Sequence, residues 1–554
     1  MQNSIMSFSI IISTIIILFI CILYIINKGK KQEKKDKLII VKKIDEIIYK
    51  YNKILFAIIL VIAIFVRIYK IDTIPNGMHV DEVGMAYDAY TLQEYGVDRY
   101  LNRFPVYMIN YGGGQSALYT YITAVFIKMF GNCLISIRLP ALSISIIAII
   151  CMYNLVKRFN GIKSALMITF LFAIMPWHIM QSRWGLDCNL LSSMIVISLY
   201  LLAIAKRPIQ YIFAGISFGI TLYTYALSYI IIPIVLLISL IYMLYINKIK
   251  FSQIVLLGIP IFILALPLML MLLVNNGIIE PISNRFFTIP KLFSYRGTEI
   301  HITEFFNNIK SLKDIYTSDN YVYNSIPIFG TLYKFSIPIM IFGGIIEIYN
   351  LIKNIKEKKF SIGTIMVIVF FANIICIGIT ENMNVNKANS IYIPSIYFIY
   401  VALRFIYHRY KIVFSIIIIM YIINFIVFSD FYYNKYNKEY EKIIFFDKNI
   451  INLIKYVDKY KEQNLYFKVT TCQPWTYVLY ANEESPYYFN ENIHKDNSDY
   501  WSNMYAYGRY YFAMPESIVE NSVYIIENKD DIETELIENG YSCEIYLGYK
   551  IYSR

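Results

Sequence analysis

Two adjacent carboxylates, Asp81 and Glu82, stand in a polar segment just beyond an apolar run that ends at Tyr69, with His79 two residues upstream. Such a pair can divide labour: one acid accepts the proton of an attacking hydroxyl while the other positions the acceptor or a cation. If 83–94 is a helix, both acids sit at its N-terminus, where the peptide dipoles favour negative charge. The same residue types also serve as an ordinary helix cap, so residue chemistry alone leaves catalysis and capping both open. His79 could join Asp81 and Glu82 around a divalent cation. Five scattered histidines and seven cysteines without a CxxC pair, however, do not make a dedicated metal site.

The elements that must position these acids are membrane helices. The 554 residues are 57% hydrophobic and 16% charged, with a mean hydropathy of +0.50, too apolar for a chain surrounded by water. A span needs about 20 mostly apolar residues. Such runs fall at 8–26, 54–69, 134–156, 165–180, 190–205, 211–225, 230–246, 254–274, 335–351, 362–379, 391–405 and 412–428, which gives about twelve spans. The net charge of +12 is not a nucleic-acid footprint, because Lys and Arg cluster in alternate loops between these runs. By the positive-inside rule those loops are cytoplasmic, and the segments 70–133, 181–189, the turn near Ser228, 275–334 and 380–390 are external. Residues 1–53 then form an anchor with a basic cytoplasmic linker, 54–428 the membrane domain, and 429–554 an extracytoplasmic α/β domain with strands near 465–469, 523–526 and 544–552.

Within the first external segment, 117–130 is apolar but short for a span, which predicts a helix lying on the outer surface. Gly112, Gly113 and Gly114 lack the GK[ST] of a nucleotide loop and read as a turn. Arg67, near the end of its run, reads as a snorkelling side chain. Cys472 and Cys543 are the two cysteines of the tail, where an oxidising exterior would permit a disulfide.

The stretch from Met78 to Pro140, with Asp81-Glu82 near its start and Ser136-Ile137-Arg138-Leu139-Pro140 at its end, resembles the first external loop of GT-C-fold, polyprenyl-phosphate-sugar-dependent glycosyltransferases. The likeness is to the bacterial, protein O-mannosyltransferase-like group of glycosyltransferase family 39, and it extends over roughly 54–428. It implies a polytopic GT-C-like helical fold with interfacial helices in the first external loop. It also implies a catalytic Asp81 assisted by Glu82. Two further segments gain meaning from it. Pro176-Trp177-His178 through Ser182-Arg183-Trp184 to Asp187 resembles the family's aromatic, Arg and acidic cluster, which makes Arg183 a candidate for the donor phosphate and His178 and Asp187 candidates for substrate. Tyr223-Thr224-Tyr225 and Asn384 to Asn389 add Tyr225, Asn386 and Asn389 as substrate candidates. Lys387 is a second phosphate candidate, standing where relatives carry Arg and lacking its bidentate fork. Interfacial snorkelling competes with the phosphate role at both Arg183 and Lys387.

The expected activity is transfer of a sugar from a polyprenyl-phosphate donor to an acceptor hydroxyl on a protein, lipid or cell-wall glycan, at the outer face of the cell membrane. A lipid-linked glycan transporter or flippase would place charges near the bilayer midplane and repeat its halves. A membrane glycan polymerase or ligase would put its function in a large mid-chain loop. The acids here crowd outside one end of the spans, and the sequence shows no repeated halves.

Overall fold

The computed structural model describes residues 46–293, 296–319, 321–440, 445–494 and 504–554; the apolar run 8–26 lies outside them. Apolar character over three or more turns produces the bundle. In chain order its helices are α1 (Asn52–Ile68), α2 (Val80–Tyr95), α3 (Ala117–Phe130), α4 (Leu134–Asn160), α5 (Ile162–Ile174), α6 (Pro176–Gln181), α7 (Leu191–Ile204), α8 (Pro208–Thr221), α9 (Ser228–Tyr245), α10 (Phe251–Asn275), α11 (Ser336–Lys356), α12 (Ile362–Ile379), α13 (Tyr392–Arg409) and α14 (Lys411–Asn434). Among the described residues eight helices are long and apolar enough to cross a bilayer. Three further expected spans are shorter helices: α1 has 17 residues, α5 has 13 and α8 has 14. In α5 the cause is Pro176, which forces Met175 into an extended conformation and restarts the chain as α6.

The outer faces stay apolar: Val255, Ile259, Phe262, Ile263, Leu266 and Met269 of α10 are all exposed. Water would not tolerate such a surface, and a bilayer requires it. The protein is a multi-pass membrane protein. Helix α3 forms over the residues expected to lie on the outer surface, and leaves Val125, Met129 and Phe130 exposed while its other face is buried.

At the end of the bundle that carries α2, the strands β1 (Met78–His79), β2 (Tyr107–Asn110) and β3 (Gly113–Ser116) frame the acids. The glycine run forms one side of the β2–β3 hairpin, with Asn110 opposite Gly113. Beyond two short strands, β4 (Ile282–Ser283) and β5 (Thr288–Ile289), the chain returns through α11 to α14 and enters the tail at β6 (Phe446–Asp447). Strand β6 pairs antiparallel with β1, Met78 opposite Asp447. Gly77 permits this approach: its φ is +81°, and a Cβ there would lie 2.1 Å from the Asp447 carbonyl oxygen.

The tail is an α/β domain. After α15 (Ile450–Val457) come β7 (Asn464–Lys468), α16 (Pro474–Ala481), α17 (Pro486–Asn492), β8 (Ala506–Tyr507), β9 (Tyr510–Tyr511), β10 (Ser522–Ile526), α18 (Ile532–Glu538), β11 (Ser542–Tyr546) and β12 (Tyr549–Ser553). The six-stranded sheet has the order β11-β12-β10-β7-β9-β8, parallel at β10–β7 and β7–β9. The single stretch expected at 544–552 is in fact a hairpin, turned at Leu547 and Gly548, both with positive φ. The tail cysteines are free thiols. Cys543 is exposed on β11, whereas Cys472 lies between β7 and α16 and senses the charge of Asp81, and the two are not joined by the disulfide that the sequence leaves open.

Candidate active site

Helix α2 begins at a capping box. His79 is the N-cap residue, its Nδ1 accepts the Asp81 N–H at 3.1 Å, and the Glu82 carboxylate accepts the His79 N–H. One residue apart on a helix is a rotation of about 100°. The two acids therefore face opposite environments. Glu82 points inward and is fully buried. Arg138, near the start of α4, grips it with Nε and Nη2, each at 3.0 Å, and Gly185 N–H adds a bond of 2.7 Å. The remaining Arg138 donors collect the carbonyls of Ile71, Pro75 and Gly77. Glu82 and Arg138 thus fasten the 71–77 turn, α2, α4 and the 182–189 loop together. With its lone pairs committed in this way, Glu82 positions the loop and is not free to meet a substrate.

Asp81 turns the other way. Its side chain keeps 35% of its exposure, with Asn110 Nδ2 donating to Oδ1 at 3.2 Å. The same Asn110 amide reaches Gln115 Oε1 at 3.3 Å, which fixes its rotamer. Tyr111 hydroxyl donates to Val80 O at 2.6 Å, and Gly84 leaves room for this packing, since a Cβ there would lie 2.9 Å from each of Arg99 Nη2, Asn110 Oδ1 and Tyr111 Oη. Arg99 is itself held by Asp88, through Nε and Nη2, both at 2.8 Å, so α2 and the 96–103 turn form one stiff piece. Groups from three other segments feel Asp81. The Tyr323 hydroxyl is pushed up by burial and then by the Asp81 charge, and so is the Cys472 thiol. Burial also raises the Tyr111 hydroxyl, opposed by Arg99 and assisted by Asp81. The carboxylate sits where the first loop, the 321–324 segment and the tail meet.

One wall of this junction is aromatic. Trp184, Leu186, Cys188, Tyr323 and Phe446 form a buried cluster with Tyr225 packed on it. Asp319 anchors the wall: it accepts from Tyr321 N–H, Asn324 Nδ2 and Val385 N–H, tying the Tyr323 segment to the 384–389 segment.

Arg183, His178, Asp187 and Asn389 serve the frame. Arg183 is fully buried, and its Nη1 and Nη2 donate to the carbonyls of Val66, Arg67, Lys70 and Ile74. It caps the C-terminal end of α1, where a cation suits the helix dipole, and offers no fork to a phosphate. Arg67 does not snorkel. It turns inward to the carbonyls of Ala63, Phe172 and Ala173 and to His178 Nδ1 at 2.7 Å, so His178 is a structural partner. Asp187 accepts the N–H groups of Ser116 and Cys188 and holds the start of α3. Asn389 is buried among Trp177 Nε1, Ser192 Oγ and Cys188 O, bonded to all three. Asn386 is half-buried, and its Oδ1 has no partner among the described residues. Lys387 is paired: Nζ lies 2.6 Å from Glu299 Oε2 and 3.0 Å from Glu381 O.

Residues 115–271 match the family described as dolichyl-phosphate-mannose-protein mannosyltransferase. Among solved structures, ArnT from Cupriavidus metallidurans bound to undecaprenyl phosphate superposes with a TM-score of 0.52 at 11% identity, covering 90% of this chain and 97% of that one. This is the GT-C glycosyltransferase fold. A second GT-C structure, the archaeal oligosaccharyltransferase AglB from Archaeoglobus fulgidus in complex with an inhibitory peptide and a dolichol-phosphate, gives a TM-score of 0.45 at 12% identity over 79% of this chain. This chain spans 64% of that one, under two thirds of its length. No curated protein matches the chain.

On this GT-C frame the trio Asp81, Glu82 and His79 does not fit a cation. Glu82 is spent on Arg138, and His79 Nδ1 is spent on the Asp81 N–H. That bond puts the imidazole proton on Nε2, which is buried between the rings of Trp184, Tyr323, Phe445 and Phe446. Burial holds His79 below its ordinary value, against the pull of Asp81 and Glu82. Among the described residues no group of three His, Cys, Asp or Glu side chains is arranged for a metal. Sequence reasoning missed Arg138, Asn110 and Asp319. Arg138 carried a readable signal, an arginine at the head of an apolar helix, which needs a carboxylate if it turns inward.

Proposed function

We propose that this chain is a GT-C glycosyltransferase that moves a sugar from a polyprenyl-phosphate carrier to an acceptor hydroxyl on the extracytoplasmic side of the cell membrane. The observation that carries the reading is Asp81: a half-exposed carboxylate at the junction of three segments, held by one amide, while its neighbour Glu82 is consumed by the frame. As general base, Asp81 takes the proton from the acceptor hydroxyl. The freed oxygen pair forms the new bond to the anomeric carbon, and the carbon–oxygen bond to the carrier breaks, its electron pair leaving with the phosphate. The Cupriavidus structure is bound to undecaprenyl phosphate, a carrier of the expected class.

Lys387 remains the candidate for the leaving phosphate, because its ammonium is the part-buried cation on the 384–389 segment. Its pairing with Glu299 then acts as a latch on the long 275–334 loop: a donor phosphate must take the place of Glu299, and the loop reorders as it does so. The test is to incubate purified full-length protein and membranes with radiolabelled polyprenyl-phosphate sugars, using wild type and Asp81→Asn. Wild type is expected to transfer label and the variant to lose about 100-fold or more. Equal transfer removes Asp81 from the mechanism, and no transfer from any such donor removes the reaction.

A further inference from the structure

Apart from the Asp81 junction, the tail domain carries a polar cleft of about 670 Å³, bounded by α15, the α16–α17 turn and β9. Its floor is built: Arg509 Nη2 donates to Asp458 at 2.9 Å, Nη1 reaches the Tyr460 carbonyl, and Asn482 Nδ2 donates to Tyr510 Oη at 2.8 Å. Among the described residues no ion pair takes up Lys455 or Lys461, the Glu484 carboxylate accepts the Ser485 N–H and feels Arg509, and Tyr488 is 43% exposed at the rim. Asn482 keeps its Oδ1 as an acceptor, since its amide nitrogen is the atom spent on Tyr510.

A cleft of this size holds a ligand of two or three sugar rings, within the roughly 300–1,000 Å³ of small-molecule sites. The lining speaks for the ligand's chemistry. Its polar walls suit neither a lipid tail nor an apolar peptide. An exposed aromatic face stacks on the C–H face of a pyranose, while mixed amide and carboxylate groups read hydroxyls as donors and acceptors. With Asp458 neutralised by Arg509, two lysines face one acid, and the remaining field is positive.

We propose that this cleft binds an oligosaccharide bearing carboxylate or phosphate substituents and so holds an anionic glycan acceptor for the enzyme. The ligand's role as acceptor rests on the glycosyltransferase reading; the binding itself does not. The cleft is also tied to the catalytic helix: Tyr87 and Tyr90 of α2 donate their hydroxyls to Glu484 O at 2.8 Å and Glu483 O at 3.3 Å. The wall of the cleft and Asp81 therefore belong to one packed unit.

The experiment measures binding of fluorescently tagged trigalacturonate, maltotriose and triglutamate to the full-length protein in detergent. Trigalacturonate is expected to bind best, and Lys455→Glu/Lys461→Glu to weaken it by about tenfold or more. Tyr488→Ala, at an exposed side chain, is expected to weaken both saccharides. The proposal is overturned if trigalacturonate does not bind, if triglutamate binds as well, or if neither the lysine nor the tyrosine variant weakens binding. Intact binding in a protein that transfers no sugar from any lipid-linked donor would instead count against the catalytic reading alone.

Discussion

Glu82 and Asp81 are neighbours in sequence with opposite expected phenotypes. Glu82→Gln leaves the Arg138 cation buried without its counter-ion, and breaking one half of a buried pair costs about 3–5 kcal/mol. The amide also presents N–H donors to Arg138 and Gly185, which need acceptors. In a chain of this length a loss of this size lowers the thermal midpoint by roughly 3–5 °C. Asp81 is partly exposed and makes one side-chain hydrogen bond with an amide, so Asp81→Asn should melt within about 1 °C of wild type. Unfolding is followed by tryptophan fluorescence in detergent, and transfer is measured well below either midpoint. There, Glu82→Gln is expected to retain activity within about tenfold, while Asp81→Asn loses about 100-fold or more. A double-mutant cycle with Arg138→Met isolates the pair: once Arg138 is gone, Glu82→Gln should cost little, which gives a coupling of about 3 kcal/mol. A coupling below about 1 kcal/mol, or an Asp81→Asn protein as unstable as Glu82→Gln, would refute the division between frame and base.

Gly84→Ala pushes a methyl group toward Arg99, Asn110 and Tyr111, and should destabilise the protein by about 1–3 kcal/mol in the same melting assay. Asn110→Ala removes the amide that orients Asp81, so kcat should fall about tenfold with little change in the thermal midpoint. His79 is held below its ordinary value by burial, so its contribution to stability is complete above about pH 6.5 and is lost as pH falls below that. The melting temperature should drop between pH 7 and 5, with a smaller drop in His79→Gln. Glu299→Gln releases Lys387, so the KM for the lipid-linked donor should fall, while Lys387→Ala should raise it about tenfold.

Local pattern was enough for much of the architecture. Apolar runs located the eight helices long enough to span among the described residues, three other runs became shorter helices, one of them cut by Pro176, and the short run 117–130 became a short helix as its length required. Alternating apolar residues located β7 and β10 of the tail. The hairpin β11–β12 was read as one strand because its turn is Leu547-Gly548, and leucine gives no turn signal.

The candidate site divides along the same physical line. That α2 starts at the acids was legible, because an acidic pair at a helix N-terminus is a local feature. Which acid faces the open junction depends on helix phase, and the His79-to-Glu82 spacing of a capping box already implied that Glu82 folds back onto the backbone. The arginines were harder. Arg67 and Arg183 stand near apolar ends, where sequence predicts snorkelling, yet their partners are main-chain carbonyls more than a hundred residues distant in the chain for the most part. A backbone carbonyl leaves no mark in the residue pattern, so an arginine that caps a distant helix and one that reaches for a headgroup look alike. A carboxylate partner does leave a mark. Arg138 and Glu82 could therefore have been matched by the requirement that a buried charge be neutralised, and that match alone would have left Asp81 as the acid able to do chemistry.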